Sequence, residues 1–355
     1  MARVNIFLIA AALVVGMVGY GGTCGVYNPP PSENLEIRTW YDLDAVRDNL
    51  GGHHRLMNDL DSTTAGYDEL ASPTANQGKG WQPIGTSAYN LFWGEFDGQG
   101  YEIRDLFINR PHEYYVGLFG LVGYRGVIKD VGVVNFTVSG SNRVGGLVGE
   151  NWGTVSNSYA TGRVSGSSCV GGLVGKNEDT VSNSYSTASV TGDYHVGSLV
   201  GWNEGPVSDS YATGSVSGDM NIGGLVGINS GTVSNSYSTG NVTGSVHVGG
   251  LVGRNLWGTV SDSYSTASVT GDEDVGGLVG WSYDSTVSNS FWDIETSGQA
   301  TSVGGTGKTT AEMKDIATFS GVGWDITAVA PGERNPTYIW NIVDGETYPF
   351  LSWEQ

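Results

Sequence analysis

Val144-Gly145-Gly146-Leu147-Val148-Gly149-Glu150-Asn151-Trp152-Gly153-Thr154-Val155-Ser156-Asn157-Ser158-Tyr159-Ala160-Thr161-Gly162 decides the fold, because the chain says it again and again. Val170, Val196, Ile222 and Val248 open further copies at steps of 26 residues, and Val275 follows after a step of 27. A repeat that holds its length this closely is a stack of equal structural units, each of which buries its apolar face only against its neighbours. The recurring residues are glycine, valine, serine and asparagine rather than acids, bases or nucleophiles. Architecture is therefore written plainly in this stretch, and chemistry is not.

Each unit offers short extended segments separated by turns. With a rise of about 3.3 Å per residue, one unit suffices for a circuit of a parallel β-helix whose coils lie about 4.8 Å apart. The expected fold is all-β, a parallel β-helix (β-solenoid) of about 26-residue coils with atypical N- and C-terminal caps. Equal positions then stand over one another, so Leu147, Leu173, Leu199, Leu225, Leu251 and Leu278 form one core row. Val155, Val181, Val207, Val233, Val260 and Val287 form another. Burying one such side chain contributes about 1.5–3 kcal/mol, too little for a lone coil against its ordering entropy, so stability is shared along the stack. Asn151, Asn177, Asn203, Asn229 and Asn255 recur at a turn, and Asn157, Asn183, Asp209, Asn235, Asp262 and Asn289 beside the second segment. Stacked amides can bond along the axis, which makes both rows structural. Gly145, Gly146 and Gly149 allow either positive φ or close approach of coils, and Ser198, in place of one of them, marks the more tolerant position.

Charge narrows the partners. The 355 residues carry 36 acids against 16 bases, a net −20, which repels phosphate backbones and argues against nucleic acid. Arg3 followed by the apolar run Val4 to Val18 has the form of an export signal, so the expected location is extracellular or the cell surface. Cleaved signal, lipidation at Cys24 and an uncut membrane anchor all remain open for this segment. Membrane contact is expected only there, and Pro29, Pro30 and Pro31 add a stiff spacer. Cys169, the other cysteine, has no evident disulfide partner.

Four regions follow: 1–31 as signal or anchor and spacer, 32–117 as N-terminal cap and first coils, 118–298 as the repeats, and 299–355 as the C-terminal cap. Within the first cap, Asp42 to Asn49 reads as a short helix stopped by Gly51-Gly52, with strands at 54–56, 81–84 and 101–108. Gly120-Leu121-Val122-Gly123, 26 residues before Gly146-Leu147-Val148-Gly149, reads as a degenerate first copy, giving seven units. Thr309 and Glu312 have capping-box spacing and predict a helix over 310–318, after which the aromatic tail 324–353 closes the end of the stack.

One row carries two readings. Tyr159, Tyr185, Tyr211, Tyr237, Tyr264 and Phe291 fill the core if they point inward, and form a strip suited to stacking on sugar rings or another protein if they point outward. The least repetitive positions, among them Ser167-Ser168-Cys169, Asp193-Tyr194-His195, Asp219-Met220-Asn221, Ser245-Val246-His247 and Asp272-Glu273-Asp274, stack on one edge, which makes Tyr194 and His195 further candidates for a binding face.

Catalytic motifs are only approached. His112-Glu113 lacks the second histidine of a zinc-protease helix, and residues 302–309 resemble a phosphate loop with Ser302 where glycine belongs. Asp59, Asp61 and Thr63 have the alternate spacing of a calcium loop, yet Leu70 stands where the closing glutamate belongs, so a capped turn is the simpler reading. No GxSxG elbow occurs. Expected catalytic, metal and cofactor sites are therefore none.

The repeated GGLVG with its following NSYxTG resembles the GLUG-motif repeat over residues 118–298, and FDGQGYEIRDL (96–106), VGLFG (116–120) and FWDIETSGQ (291–299) resemble its usual flanks. That resemblance implies a bacterial or archaeal adhesin-like surface solenoid and supplies no catalytic residues. The expected function is accordingly an exported, surface-anchored solenoid in adhesion or envelope interaction, with glycans or surface proteins as partners. The alternative is a β-helix carbohydrate-active enzyme, a polysaccharide lyase or glycoside hydrolase, whose carboxylates share one lateral groove.

Overall fold

The computed structural model describes residues 34–354, so the export signal, Cys24 and the proline spacer lie outside the described residues. Within that range the chain winds as a parallel β-solenoid. The Thr-Val-Ser segments stack into a ten-stranded sheet, from Leu35–Ile37 to Thr286–Ser288, and the Leu-Val-Gly segments into a seven-stranded one, from Phe119–Val122 to Val279–Tyr283. The Ser-Tyr segments and the strands that follow them build the third face. Register is like over like: Val155 pairs with Val181, Asn151 with Asn177, Tyr159 with Tyr185.

The interior is a set of files. The leucine file is fully buried from Leu147 to Leu278, and so is the valine file from Val155 to Val260. Val287, on the last coil, is only partly buried. At one corner each asparagine amide donates to the asparagine of the next coil, Asn151 to Asn177, Asn177 to Asn203, Asn203 to Asn229 and Asn229 to Asn255, at 2.8–2.9 Å with all five buried. At the next corner a buried serine takes over: Ser184 donates to its own coil at Ser182 O (2.7 Å) and accepts from Ser158 N of the coil before (3.2 Å). Such bonds satisfy backbone groups that a sharp bend would otherwise bury unpaired.

The repeat glycines serve close approach. At Gly223 a Cβ would lie 2.0 Å from Val226 O. Positive φ is instead taken by Asn157, Asn183, Asp209, Asn235, Asp262 and Asn289, at 45–50°, as short amide and carboxyl side chains allow. Ser198 is a swap rather than a tolerant site: Gly172 and Gly224 face the hydroxyls of Ser186 and Ser238, while the coil that carries Ser198 has Ala212 at that place.

Further expectations change, among them the strand at 101–108, which is two strands, Glu102–Arg104 and Phe107–Asn109. Val116 pairs with Val144 and Phe119 with Val148, so the first copy is Val116-Gly117-Leu118-Phe119-Gly120, not residues 120–123. Phe119 belongs beneath Val148 because it is a core residue, packed on Phe92 and Phe96 at 5.0 and 5.1 Å. Trp81 and Ile84 are buried without forming a strand. The helix over 310–318 splits into a 3-10 turn, Glu312–Lys314, and a helix, Ile316–Ser320, because Asp315 caps the second piece; the reciprocal Thr309–Glu312 bonds do form. Upstream, Trp40–Asp44 is helical behind a Thr39–Asp42 capping box.

The tail does not close the stack. Residues 302–305 do so, with Ser302 bonded to Val279 and the glycines at 304 and 305 fitted against Val287 and Leu278, and Thr306–Lys308 adds a last rung beside Phe291–Asp293. The tail instead folds back along one side as a small three-stranded layer, Ile326–Ala328, Trp340–Ile342 and Phe350–Leu351, over a second apolar core of its own.

Candidate functional site

That second core is built on the tyrosine row. In each Ser-Tyr segment the residue after the tyrosine, Ala160, Ser186, Ala212, Ser238 or Ser265, is buried, so alternation turns the tyrosine outward. The rings stack at 4.8–5.1 Å with planes within 6°. Their fates then diverge. Tyr237, Tyr264 and Phe291 are covered by the tail, packed on Trp340, Trp324 and Phe319. Tyr159, Tyr185 and Tyr211 stay half-buried and line an open groove of about 930 Å³. The file ends at Tyr159 because the next rung holds Gly132, where a Cβ would lie 2.3 Å from that ring. Because each ring covers its neighbour's face, the strip shows solvent its edges and hydroxyls, and the expected platform for stacking sugars is not what it offers.

Polar groups make the rest of the groove. Glu102 takes the Tyr159 hydroxyl and pairs with Arg104. Asp97 accepts from Gln99 at 2.9 Å (backbone) and 2.6 Å (side chain), and Asp130 accepts from the Asn157 amide at 3.0 Å. Asn183 continues the wall, and Trp353 closes it from the tail, with its ring 5.7 Å from Tyr211 and 6.5 Å from Tyr185. Partial burial pushes the Tyr159, Tyr185 and Tyr211 phenols above their ordinary range, with the Glu102 carboxylate adding to the first two, so all three are hydroxyl donors at neutral pH.

Tyr194 and His195 lie elsewhere, on another strand file, and neither lines the groove. Tyr194 is exposed, whereas His195 turns in against Trp202 at 5.8 Å and is lowered to about 4 by burial, with Arg254 adding to the effect. Asn221 bridges it to His247, at 3.0 and 2.8 Å, in a column of Arg143, Cys169, His195, Asn221, His247 and Asp274 that all adopt φ of 52–60°. Cys169 is a buried free thiol. Glu113 is paired with Arg110, residues 302–305 are spent on covering the core, and Asp61 accepts from Thr63 and Thr64 within its own turn. Among the described residues no three His, Cys, Asp or Glu side chains gather as metal ligands, and no helix is long and apolar enough to cross a membrane.

Asp97, Gln99, Glu102, Asp130 and Trp353 escaped the sequence reading. The first three sit in the FDGQGYEI flank, where the Gly-rich turn signalled a bend without saying what it faced; Trp353 had no signal, since only the fold-back of a non-repeating tail brings it there.

Comparison with known proteins places this architecture. The GLUG motif matches at residues 140–165, 166–191, 218–243 and 244–270. A protein of Evansella cellulosilytica described as a Gly-rich membrane protein is 40% identical over 126 residues, which is 34% of this chain and 14% of that one. Halomucin of Haloquadratum walsbyi is 35% identical over 140 residues, 38% of this chain and 2% of its own length. The chain thus spans a small part of either relative. The crystal structure of a candidate immunoglobulin A1 protease from Bacteroides ovatus superposes with a TM-score of 0.52 over 90% of this chain and 92% of that one, at 19% identity, a likeness of fold alone. The coil 192–217, with Ser198 and Pro206, keeps register between the matched pairs, so four coils of the solenoid match the GLUG motif and the coil between them shares their geometry.

Proposed function

We propose that the protein is an exported, non-catalytic solenoid of the cell surface or envelope, and that the groove beside the open tyrosines is its contact surface for adhesion or envelope interaction. The observation that carries this is the interruption of the tail's cover: one continuous outer file is sealed over its last rungs and left open, with a polar wall, over Tyr159, Tyr185 and Tyr211. The relative described as a membrane protein supports an envelope location, and the net charge of −20 disfavours nucleic acid. Attachment through the N-terminal segment belongs to the same proposal. The test is a binding screen of the full chain, purified from an exporting host, against glycans, matrix proteins and intact cells. Binding that is lost on Trp353→Ala supports the reading, and a chain that binds none of the three sinks it.

A carbohydrate-active enzyme is the second reading, favoured by three carboxylates, Asp97, Glu102 and Asp130, in one groove. Each is already engaged by a protein donor. Release of reducing or unsaturated sugars from a polysaccharide, abolished by Glu102→Gln, would reverse the ranking.

A further inference from the structure

The Asp/Asn file beside the tyrosines follows a pairing rule and breaks it once. Asn157 donates to Asp130 at 3.0 Å, Asn289 donates to Asp262 at 3.2 Å, and Asn235 supplies a bond to Asp209. Asn183 falls between two such pairs; its backbone N–H donates to Ser208 O, but among the described residues its side-chain amide has no hydrogen-bond partner. The neighbouring phenols break their own rule at the same place. Tyr159, Tyr237 and Tyr264 bond to Glu102, Glu354 and Pro349 O, whereas the hydroxyls of Tyr185 and Tyr211 have no protein acceptor among the described residues. Over them stands Trp353, whose indole Nε1 is buried and likewise unpartnered. Asn183 and Trp353 also line an adjoining hollow of about 250 Å³, so they sit where two depressions meet.

The Asn183 amide and the Tyr185 and Tyr211 hydroxyls face the open groove with no protein partner to compete for them, while the Trp353 ring, its own nitrogen shielded, supplies an apolar wall beside them. The amide and the two phenols each both donate and accept, and so match vicinal hydroxyls, which do the same. Asp97, Glu102 and Asp130 line the same groove, and these three carboxylates outnumber the two cations beside them, Lys129 at 3.6 Å from Asp97 and Arg104 on Glu102, so the wall opposes an anionic ligand. We infer that Asn183, Tyr185, Tyr211 and Trp353 form the binding centre for a neutral pyranose unit of a polysaccharide, with acidic glycans excluded by the carboxylate wall. This rests on the groove being the contact surface proposed above and names what it takes.

The test sets neutral hexose oligomers of varied linkage against uronate and sulfated oligomers on an array, with calorimetry of the full chain on the strongest binder. Neutral oligomers bind and the acidic ones do not. Replacing both open phenols (Tyr185→Phe with Tyr211→Phe) keeps the ring stack, removes two hydroxyls that bond to nothing in the protein, and weakens that binding at least tenfold with Tm unchanged. Asn183→Asp, which keeps a residue that tolerates the positive φ of 47°, weakens it as well. A preference for acidic glycans, or wild-type affinity in the double variant, overturns the assignment. Binding to proteins or cells without any glycan also overturns it while leaving the contact-surface reading in place, and the absence of all binding removes both.

Discussion

The two halves of the tyrosine file are one sequence motif with two environments. From Tyr237 to Phe291 the rings are sealed beneath the tail, and the two phenols there are bonded; from Tyr159 to Tyr211 the same stack meets solvent. Nothing in the repeat distinguishes them. Repetition sets register, and a segment outside the repeat sets exposure.

The strongest way to break this contrast is to remove the cover. Trp340 is 1% exposed and packs on both Tyr237 and Tyr264, so Trp340→Ala should cost about 3–5 kcal/mol of the docking of that layer. Hydrogen exchange would then show the layer at residues 316–354 opening first while the solenoid coils stay protected. If coils and layer lose protection together, the two cores are one cooperative unit and the distinction fails.

A gentler pair of substitutions sharpens it. Tyr264→Phe deletes a fully buried hydroxyl that donates to Pro349 O at 2.5 Å and leaves that carbonyl unbonded, a loss of about 1–3 kcal/mol. Tyr185→Phe removes a hydroxyl with no protein partner, and its effect on denaturant midpoint should stay within about 0.5 kcal/mol. Equal losses would mean that the open half is as tightly engaged as the covered one.

The smallest effect is a pH slope. Burial raises the Glu354 carboxyl above its ordinary range, against the bonds it accepts from Leu351 N and Tyr237 Oη. A carboxyl raised in the folded state favours folding while protonated, so its contribution is present at acid pH and is lost as pH climbs through the raised value. Glu354→Gln should therefore be the more stable form at pH 7 and converge with the parent chain below pH 4 in thermal unfolding. A constant difference across that range would show that the carboxyl does not titrate with docking.

The sequence made the leucine, valine and asparagine files readable because a constant period leaves each position a single environment. It misled where the period fails. The Gly120 to Gly123 match to a later copy was a coincidence of letters, overruled by the need to set Phe119 under Val148. The outward turn of the tyrosines hung on a corner at Ser158, where the buried serine and buried Ala160 flank an outward ring. The tail's aromatic content announced burial without naming a surface, so Trp353, and with it the tail's side of the groove, stayed hidden. Tyr194 and His195 were variable as a binding edge would be, yet His195 is spent on packing against Trp202.

Because each coil adds one ring to the file at 4.8–5.1 Å, while the tail is tethered to the last coil and covers a set number of rungs, the trough works as a ruler with one end fixed. Duplicating a single coil near Tyr185 would lengthen the open side by one rung and leave both ends as they are, so a lineage could change its reach by copying DNA in units of one repeat, without inventing a residue.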